Sequence, residues 1–338
     1  MDNHFNKKKV IRILLISSIS LLLINIVAGK YFTSKTKNEL NKVSLETADK
    51  VFLQSLFALG ISQEQIKTRK LLKKTEVKSY VLKVPGDLPI PNILVELKNN
   101  FDSLNVKIAI KEKNIGGKTL INIFSGEDEL ISAELNYDSE IIRKGGHVAF
   151  VLQGVSNLDN DKLSELLSAP ELFGVLIVPS KSNFAFKDSL LKYRKESLIL
   201  LNDENNELKY KLDAGYSKLR LRASLKSIVD DFQKSVCVVI DENSDMSEPE
   251  LYNLLFEVFK VRSIRQLKYG DFFIPSGTSI EEKLNSFNAA MEKIRNNGKV
   301  LILLDAMEYS AFLPEIVRYR KIGYKFINPS EIIRSLDK

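Results

Sequence analysis

Hydrophobic and polar positions divide most of the chain into two stretches with different periods. From Val77 to Tyr137, short segments alternate apolar and polar residues, and one segment among them has helical spacing. A period of two is typical of strands with one buried face, and a spacing of three to four is typical of an amphipathic helix. The order of these segments predicts a small α+β domain of βαβββ topology over residues 76–143.

After Gly145 the pattern changes to short, continuously apolar runs that alternate with longer helical segments. Such runs are typical of parallel strands that are covered on both faces, with helices as the connections. The runs that predict strands are VAFVLQ, FGVLIVP, SLILLN, SVCVVID, DFFIP, KVLILLD and YKFINP. We therefore expect an α/β fold over residues 145–338, a seven-stranded (β/α) barrel.

The N-terminus shows neither pattern. KKKVIR precedes ILLISSISLLLINIVAG, an apolar run without a charge that is about 17 residues long, close to a membrane span. Lysines before such a run predict a cytoplasmic tip and a transmembrane signal anchor over residues 1–30. The bulk of the chain would then lie outside the cytoplasm, held at the inner (cytoplasmic) membrane. Val27-Ala28-Gly29 leaves signal-peptide cleavage and secretion open as the alternative.

Residues 31–75 predict a helical segment. Helical spacing ends at Gly60, and Ser62 to Gln65 has the form of a capping box for a second, basic helix through Leu72. The segment either packs on the following domain as a helical hairpin or forms an oligomerising stalk, so the oligomeric state is left open.

Charge gives no sign of a nucleic-acid partner. The formal net charge is +7, but Lys7, Lys8, Lys9 and Arg12 against Asp2 supply +3 of it (4 − 1) before the globular part begins. The remainder is close to balanced, without a basic stripe.

Cysteine and histidine are scarce, which restricts the chemistry. One cysteine, Cys237, excludes an internal disulfide and a cysteine-based zinc site, and its apolar context SVCVVI predicts a buried side chain. His4 and His147 are the chain's two histidines. His147 precedes its predicted strand, whereas sites in parallel βα folds lie at the opposite, C-terminal strand ends.

The succession of elements from about Val77 to Ile333 resembles the divergent polysaccharide deacetylases, the YibQ-like family of the NodB-like carbohydrate esterases. VAFVLQG followed by LSAPELFGVLIVPSKS stands where that family has a strand ending in two aspartates and then LP…FAVLPYS. VLILLDAMEYS leading to KIGYKFINPSEII is similar to the family's strand, Gly-His-Pro, helix and GIELVPVSEL. The preceding βαβββ unit also resembles the region between membrane and barrel in these proteins.

The resemblance implies a metal-dependent deacetylase site whose ligands this chain lacks. Gln153 and Gly154 stand in place of the acidic pair, and the histidine of the third strand is missing. Asp241-Glu242 stands in place of Asn-His, and the Gly-His-Pro histidine falls near Asp305. We therefore expect a pseudoenzyme of the polysaccharide-deacetylase type, with no catalytic residues, no metal and no cofactor.

The strand ends still offer a candidate binding site without those metal ligands. Gln153, Asp241, Glu242 and Asp305 form a candidate ligand-binding rim, whose oxygens are suited to sugar hydroxyls or a hard cation. The three carboxylates would repel one another if close, and one would then have a raised pKa.

Three functions are compatible with these features. The leading one is a catalytically inactive, envelope-facing protein that binds a cell-envelope glycan or an envelope protein. The first alternative is an active carbohydrate deacetylase or hydrolase of cell-wall polysaccharide with a rebuilt carboxylate site. The second is a structural scaffold of an envelope complex. Tyr193, Tyr216, Tyr269 and Tyr309 could stack on sugar rings or belong to core and surface.

Overall fold

The computed structural model describes residues 42–69, 77–112 and 117–336. The chain divides into two compact units, the first ending at Ile142 and the second beginning at Arg143. The predicted anchor, residues 1–30, lies outside the described residues, as does part of the predicted helical segment. Within the described part of the chain, no helix combines the length and the hydrophobicity that a membrane crossing requires.

The first unit contains a mixed five-stranded sheet in the order β1-β2-β5-β4-β3, in which β2 and β5 are parallel and the other neighbours antiparallel. Its strands are β1 (Ile66–Arg69), β2 (Lys78–Pro85), β3 (Lys107–Glu112), β4 (Thr119–Ser125) and β5 (Asp128–Asp138). Helices α1 (Leu45–Ala58) and α2 (Ile90–Phe101) share one core with the sheet. The predicted βαβββ order is confirmed, with β1 as an additional edge strand.

The predicted helix from Ser62 through Leu72 is wrong for its described residues, which end at Arg69. Gln65 Oε1 does accept a hydrogen bond from Ser62 N at 2.6 Å, as a capping box requires. The turn nevertheless closes after one 3-10 turn, Gln63–Gln65, and the chain continues as β1, paired antiparallel with β2. Pairing with a neighbouring strand outweighs a weak local preference here.

The second unit contains a seven-stranded parallel sheet in the order β10-β9-β8-β7-β6-β11, with β12 paired to β6. Its strands are β6 (His147–Gln153), β7 (Phe173–Ile177), β8 (Glu196–Leu201), β9 (Val238–Ile240), β10 (Gln266–Lys268), β11 (Lys299–Asp305) and β12 (Lys325–Phe326). The described helices are α3 (Asn160–Ser168), α4 (Lys181–Lys192), α5 (Lys218–Asp231), α6 (Pro249–Val261), α7 (Ile280–Lys293), α8 (Tyr309–Ile322) and α9 (Pro329–Ile333). The strand–helix alternation predicts the α/β class correctly.

The sheet curls, but the predicted (β/α) barrel is not closed. Among the described strands, β10 and β11 lie at the two ends of the strand order and are not joined by a ladder of hydrogen bonds. Predicted strand DFFIP reduces to a single parallel bridge between Phe273 and Ile302, in which Phe273 N donates to Leu301 O at 2.8 Å. β10 instead forms five residues earlier in the chain, at the opposite edge of the sheet. Asp271 accepts from Lys268 N at 2.8 Å and so ends β10 in a 3-10 turn. Pro275 has no N–H with which to extend the bridge.

Both faces of the curled sheet are buried. Phe150 and Leu152 belong to the core between sheet and helices, whereas Ala149 and Val151 belong to the core enclosed by the curl. Cys237 lies in that inner core, where burial raises the pKa of its thiol to about 12. A thiol with this pKa is a packing group and a poor nucleophile at neutral pH.

Candidate functional site

Alternation along the strands brings polar side chains together inside the C-terminal end of the curled sheet. On each strand, every second side chain points into the inner core. The next inward-facing position therefore lies at the open, C-terminal end of the curled sheet. We define the mouth as the residues that this row and the following loops place there: Gln153, Asn202, Asp241, Tyr269 and Asp305.

Gln153 and Asp305 are neighbours at the mouth. They end β6 and β11 at the same register position, and Ala306 N donates to Gln153 O at 2.9 Å. Gly154 follows with φ +72, and a Cβ built there would lie 3.3 Å from Asp305 Oδ2. A glycine therefore both permits the turn and lets the Asp305 carboxylate approach the backbone.

Tyr269 fixes the Gln153 amide. The phenol donates to Gln153 Oε1 at 2.8 Å. Burial and the Asp241 charge raise the pKa of Tyr269, while its bond to Gln153 acts in the opposite direction. The phenol is therefore a neutral donor at physiological pH, and it orients Gln153 Nε2 as a free donor, since that atom has no partner within the described residues.

Asn202 was not predicted as a site residue. It is 8% exposed, and its Oδ1 has no hydrogen-bond partner among the described atoms, while Nδ2 makes one long contact of 3.4 Å to Glu204 Oε2. Because Leu198 and Leu200 contribute to the inner core, alternation puts Asn202 in the same row. The alternation of residues along SLILLN could therefore have identified Asn202 from the sequence.

Glu242 lies beside the mouth and does not belong to a group of uncompensated carboxylates. Its Oε1 is 3.0 Å from Lys268 Nζ, and its Oε2 accepts from Gly270 N at 3.3 Å. The hydrogen bond from Lys268 lowers the pKa of Glu242. Glu242 is therefore not the carboxylate with a raised pKa that was expected if the three lay close together, since a lysine on the adjoining strand neutralises it.

Asp241 and Asp305 are each held by the backbone of their own loop. Asp241 accepts from Asn243 N at 2.9 Å, and Asp305 accepts from Met307 N at 2.8 Å. These bonds fix one oxygen of each carboxylate, and the other oxygen accepts no hydrogen bond from the described residues. Across the described residues, no group of three or more His, Cys, Asp or Glu is placed to hold a metal ion.

His147 lies at the opposite end of the sheet from the mouth, as predicted. It is the first residue of β6, in register with Lys299 and Lys325. Burial first, and then the two lysine charges, lower its pKa, and its Nδ1 is buried without a partner among the described residues. Of the other tyrosines considered, Tyr309 is a core residue at 2% exposure.

The chain is similar in structure to polysaccharide deacetylases of family CE4. No protein-family model matches it, and no curated protein is significantly similar. The pseudoenzyme BA3943 of the CE4 family from Bacillus anthracis matches at 13% identity and TM-score 0.38, over 64% of this chain and 84% of that one. Peptidoglycan deacetylase PdaC from Bacillus subtilis matches at 11% identity and TM-score 0.36, over 58% and 95%. An uncharacterised Agrobacterium tumefaciens protein, ATU2773, matches at 15% and 0.37, over 56% and 89%.

Scores at this level describe a likeness of fold, and nothing about the activity of this chain follows from them.

Proposed function

We propose that the mouth is a carbohydrate-recognition surface of a divergent, YibQ-like polysaccharide-deacetylase barrel that no longer hydrolyses its ligand. The observation that carries the proposal is the hydrogen bond between Tyr269 and Gln153, which aims a neutral amide into an opening rimmed by Asp241 and Asp305. Amide donors beside carboxylate acceptors are suited to the paired hydroxyls of a sugar, and the half-buried phenol offers a ring face.

The residues at the mouth do not fit the metal of the deacetylases. Gln153 is neutral where the family places an acid, and His147 lies at the other end of the sheet. His4 is outside the described residues. Without imidazole at this edge, metal-activated attack of water on an acetyl group has no ligand set to support it. A rebuilt carboxylate site is also disfavoured, since Glu242 is paired with Lys268.

The N-terminal apolar run supports placing this surface in the cell envelope. The lysines before the run and the absence of a comparable run later in the sequence favour a single-pass protein with its C-terminus outside the cytoplasm. A reporter that is active only in the cytoplasm, fused after Lys338, should be silent.

Binding of peptidoglycan fragments to the full chain tests the proposed function. Asp305→Ala and Gln153→Ala should each weaken binding about ten-fold, the effect of losing one or two hydrogen bonds to a neutral ligand. Met307→Ala is the matched control, because its exposed side chain neighbours Asp305 without belonging to the mouth.

Metal analysis and an acetyl-release assay complete the test. Gln153→Asp should release no acetate, since a single restored carboxylate leaves the imidazole ligands missing. Tightly held zinc in protein purified without added metal, or zinc-dependent acetate release by this variant, would refute the assignment. Unchanged fragment binding in both alanine variants would refute it as well and would favour a protein partner or a scaffold.

A further inference from the structure

The two sides of the mouth differ in their capacity for hydrogen bonds. On one side, Gln153 offers the free donor Nε2 next to the carboxylate of Asp305, so a donor and an acceptor lie together. On the other side, Asn202 and Asp241 offer an amide oxygen and a carboxylate, which are both acceptors. A group that binds between these two acceptors has to donate to both.

Asn202 and Asp241 lie side by side. They directly follow β8 and β9, which pair in parallel with Leu201 in register with Ile240. Asp241 N donates to Leu201 O at 3.1 Å, which continues the pairing to their level. The preceding inward-facing residues of both strands contribute to the inner core, so both side chains face the opening. Neighbouring strands are about 4.8 Å apart, and one bound atom can therefore contact both side chains.

The Asn202 amide has a defined orientation. Its Nδ2 lies 3.4 Å from Glu204 Oε2, and a carboxylate at neutral pH accepts but does not donate. The nitrogen therefore belongs on the Glu204 side, which leaves Oδ1 as the acceptor on the other side. Oδ1 is buried and has no partner among the described atoms, in a residue that is only 8% exposed. A buried acceptor of this kind favours a ligand that donates a hydrogen bond to it.

Asp241 adds a charge that the protein does not neutralise. It has no ion pair within the described part of the chain, because Lys268 on the adjoining strand pairs with Glu242. One carboxylate oxygen accepts from Asn243 N at 2.9 Å, and the other accepts no hydrogen bond from the described residues. With Asp305, the five residues of the mouth include two carboxylates and no cation. A cationic donor is therefore favoured beside Asp241 over a neutral one.

These properties restrict the group that binds there. A hydroxyl has one hydrogen and can donate to only one of the two acceptors, whereas a primary ammonium has three hydrogens and a positive charge. Calcium requires about six to eight oxygen ligands. No group of three or more His, Cys, Asp or Glu is placed to hold a metal ion in the described part of the chain. An ammonium group therefore fits this side of the mouth better than a hydroxyl or a metal ion.

We propose that Asn202 and Asp241 bind the primary ammonium group of an amino sugar, while Gln153 and Asp305 bind its hydroxyls. This inference rests on the proposed function and narrows it to a hexosamine whose amine is not acetylated. Acetylation would remove the charge, leave one N–H where two acceptors wait, and add an acyl group next to the buried Asn202 amide. The mouth should therefore discriminate against the acetylated sugar.

Matched oligosaccharides test this inference on the full chain. We would compare β-linked oligomers of glucosamine, N-acetylglucosamine and glucose by titration calorimetry, with EDTA present to exclude bridging metal ions. Mildly acidic pH keeps the sugar amine protonated and the carboxylates ionised. The glucosamine oligomer should bind about ten-fold more tightly than the glucose oligomer, as expected for hydrogen bonds to a charged group. The N-acetylglucosamine oligomer should not share this gain.

Three variants locate the preference within the mouth. Asp241→Asn keeps the shape and the acceptor for Asn243 N but removes the charge, so the preference for the glucosamine oligomer should disappear. Asn202→Leu removes the buried acceptor at similar volume and should weaken binding of the glucosamine oligomer alone. Asp188→Asn is the matched control, because it removes the same charge from an exposed position on α4. Circular dichroism checks the folding of each variant.

The outcomes separate this inference from the proposed function. Equal binding of the glucosamine and glucose oligomers would overturn the inference and leave sugar recognition standing, whereas no binding of any oligomer or of peptidoglycan fragments would refute both. A preference that persists in both Asp241→Asn and Asn202→Leu would also overturn the inference. So would an equal loss in Asp188→Asn, which would assign the preference to net charge. A short lysine peptide that binds as tightly as the glucosamine oligomer would show attraction to cations without recognition of a sugar, and would overturn it as well.

Discussion

The two sheets bury their side chains in different ways. In β4 of the first unit, Ile121 and Ile123 are fully buried while Asn122 between them is partly exposed. In β6 of the second unit, all residues from Val148 to Leu152 are at most 1% exposed. A strand with one open face can carry polar groups anywhere along its length. A strand covered on both faces can carry them only where it ends, which confines the second unit's candidate site to the edge of its sheet.

The largest effect that would test this comparison is expected at Phe150. Its ring is stacked with Phe287 at 6.1 Å and with Phe326 at 5.9 Å, and it meets the edge of Tyr309 at 5.6 Å. Phe150→Ala should destabilise the second unit by about 3–5 kcal/mol, because packing on all sides prevents the cavity from collapsing. Chemical denaturation of the full chain should show the second unit's transition at lower denaturant and the first unit's transition unchanged. An equal shift of both would show that the two cores are not independent.

A smaller effect is expected from the buried carboxylate of the first unit. Asp49 on α1 accepts hydrogen bonds from Tyr80 Oη and Lys78 Nζ, and Tyr80 is 6% exposed. Asp49→Ala should cost about 1–3 kcal/mol, because it leaves the buried phenol without an acceptor.

Removing the donor as well isolates this contribution. The double variant Asp49→Ala/Tyr80→Phe should be more stable than Asp49→Ala alone, since no unsatisfied hydroxyl remains. A double variant that is less stable than the single one would show that Asp49 acts through packing or charge instead. Urea unfolding of the three proteins measures the difference.

Introducing a threonine into each sheet sharpens the comparison. Val151→Thr puts a hydroxyl into the inner core of the second unit, where it should cost about 1–2 kcal/mol. Ser132→Thr lies on the open face of β5, beside Asn122 at 3.2 Å, and should change stability by less than about 0.5 kcal/mol. Similar costs at the two positions would contradict the contrast between one-sided and two-sided burial.

The difference between the sheets also explains how far the sequence could predict the structure. Alternation in residues 119–138 and the continuous runs of β6 and β11 each report burial directly, and both predictions are confirmed. The prediction of a strand at DFFIP was wrong although the segment is apolar enough for one. The turn at Tyr269–Asp271 and the position of β10 depend on contacts between residues that are distant in sequence. Local patterns do not contain that information.

The candidate site was predicted in part for the same reason. Gln153, Asp241 and Asp305 are polar residues that directly follow apolar runs, so their place at the sheet edge could be read from the pattern. The pairing of Glu242 with Lys268 could not, because it depends on β10 lying next to β9. The alternation of residues in its strand could have predicted the position of Asn202. The hydrogen bond by which Tyr269 orients Gln153 could not be predicted, because it joins residues that are distant in sequence.

The smallest expected effect compares the two ends of β6. At the C-terminal end, Gln153 does not titrate. At the other end, burial and the charges of Lys299 and Lys325 lower the pKa of His147 below its usual 6.5, with Glu331 acting weakly in the opposite direction. The unfolded chain therefore binds a proton more readily than the folded one as the pH falls through this range. The stability that the neutral imidazole preserves is complete above about pH 6.5 and is lost as the pH falls through the lower, folded pKa.

Unfolding at several pH values measures this contribution. Between about pH 7.5 and pH 5.5, where carboxylates remain largely ionised, the midpoint of the second unit should fall as the pH is lowered. His147→Gln keeps a polar side chain at the start of β6 but does not titrate, so its midpoint should be less dependent on pH than that of the unmodified chain. The first unit contains no histidine among its described residues and provides an internal reference. An equal pH dependence with and without His147 would show that its imidazole is solvated in solution. The two ends of β6 would then be alike in their exposure to water, and only the side chains at the mouth would distinguish them.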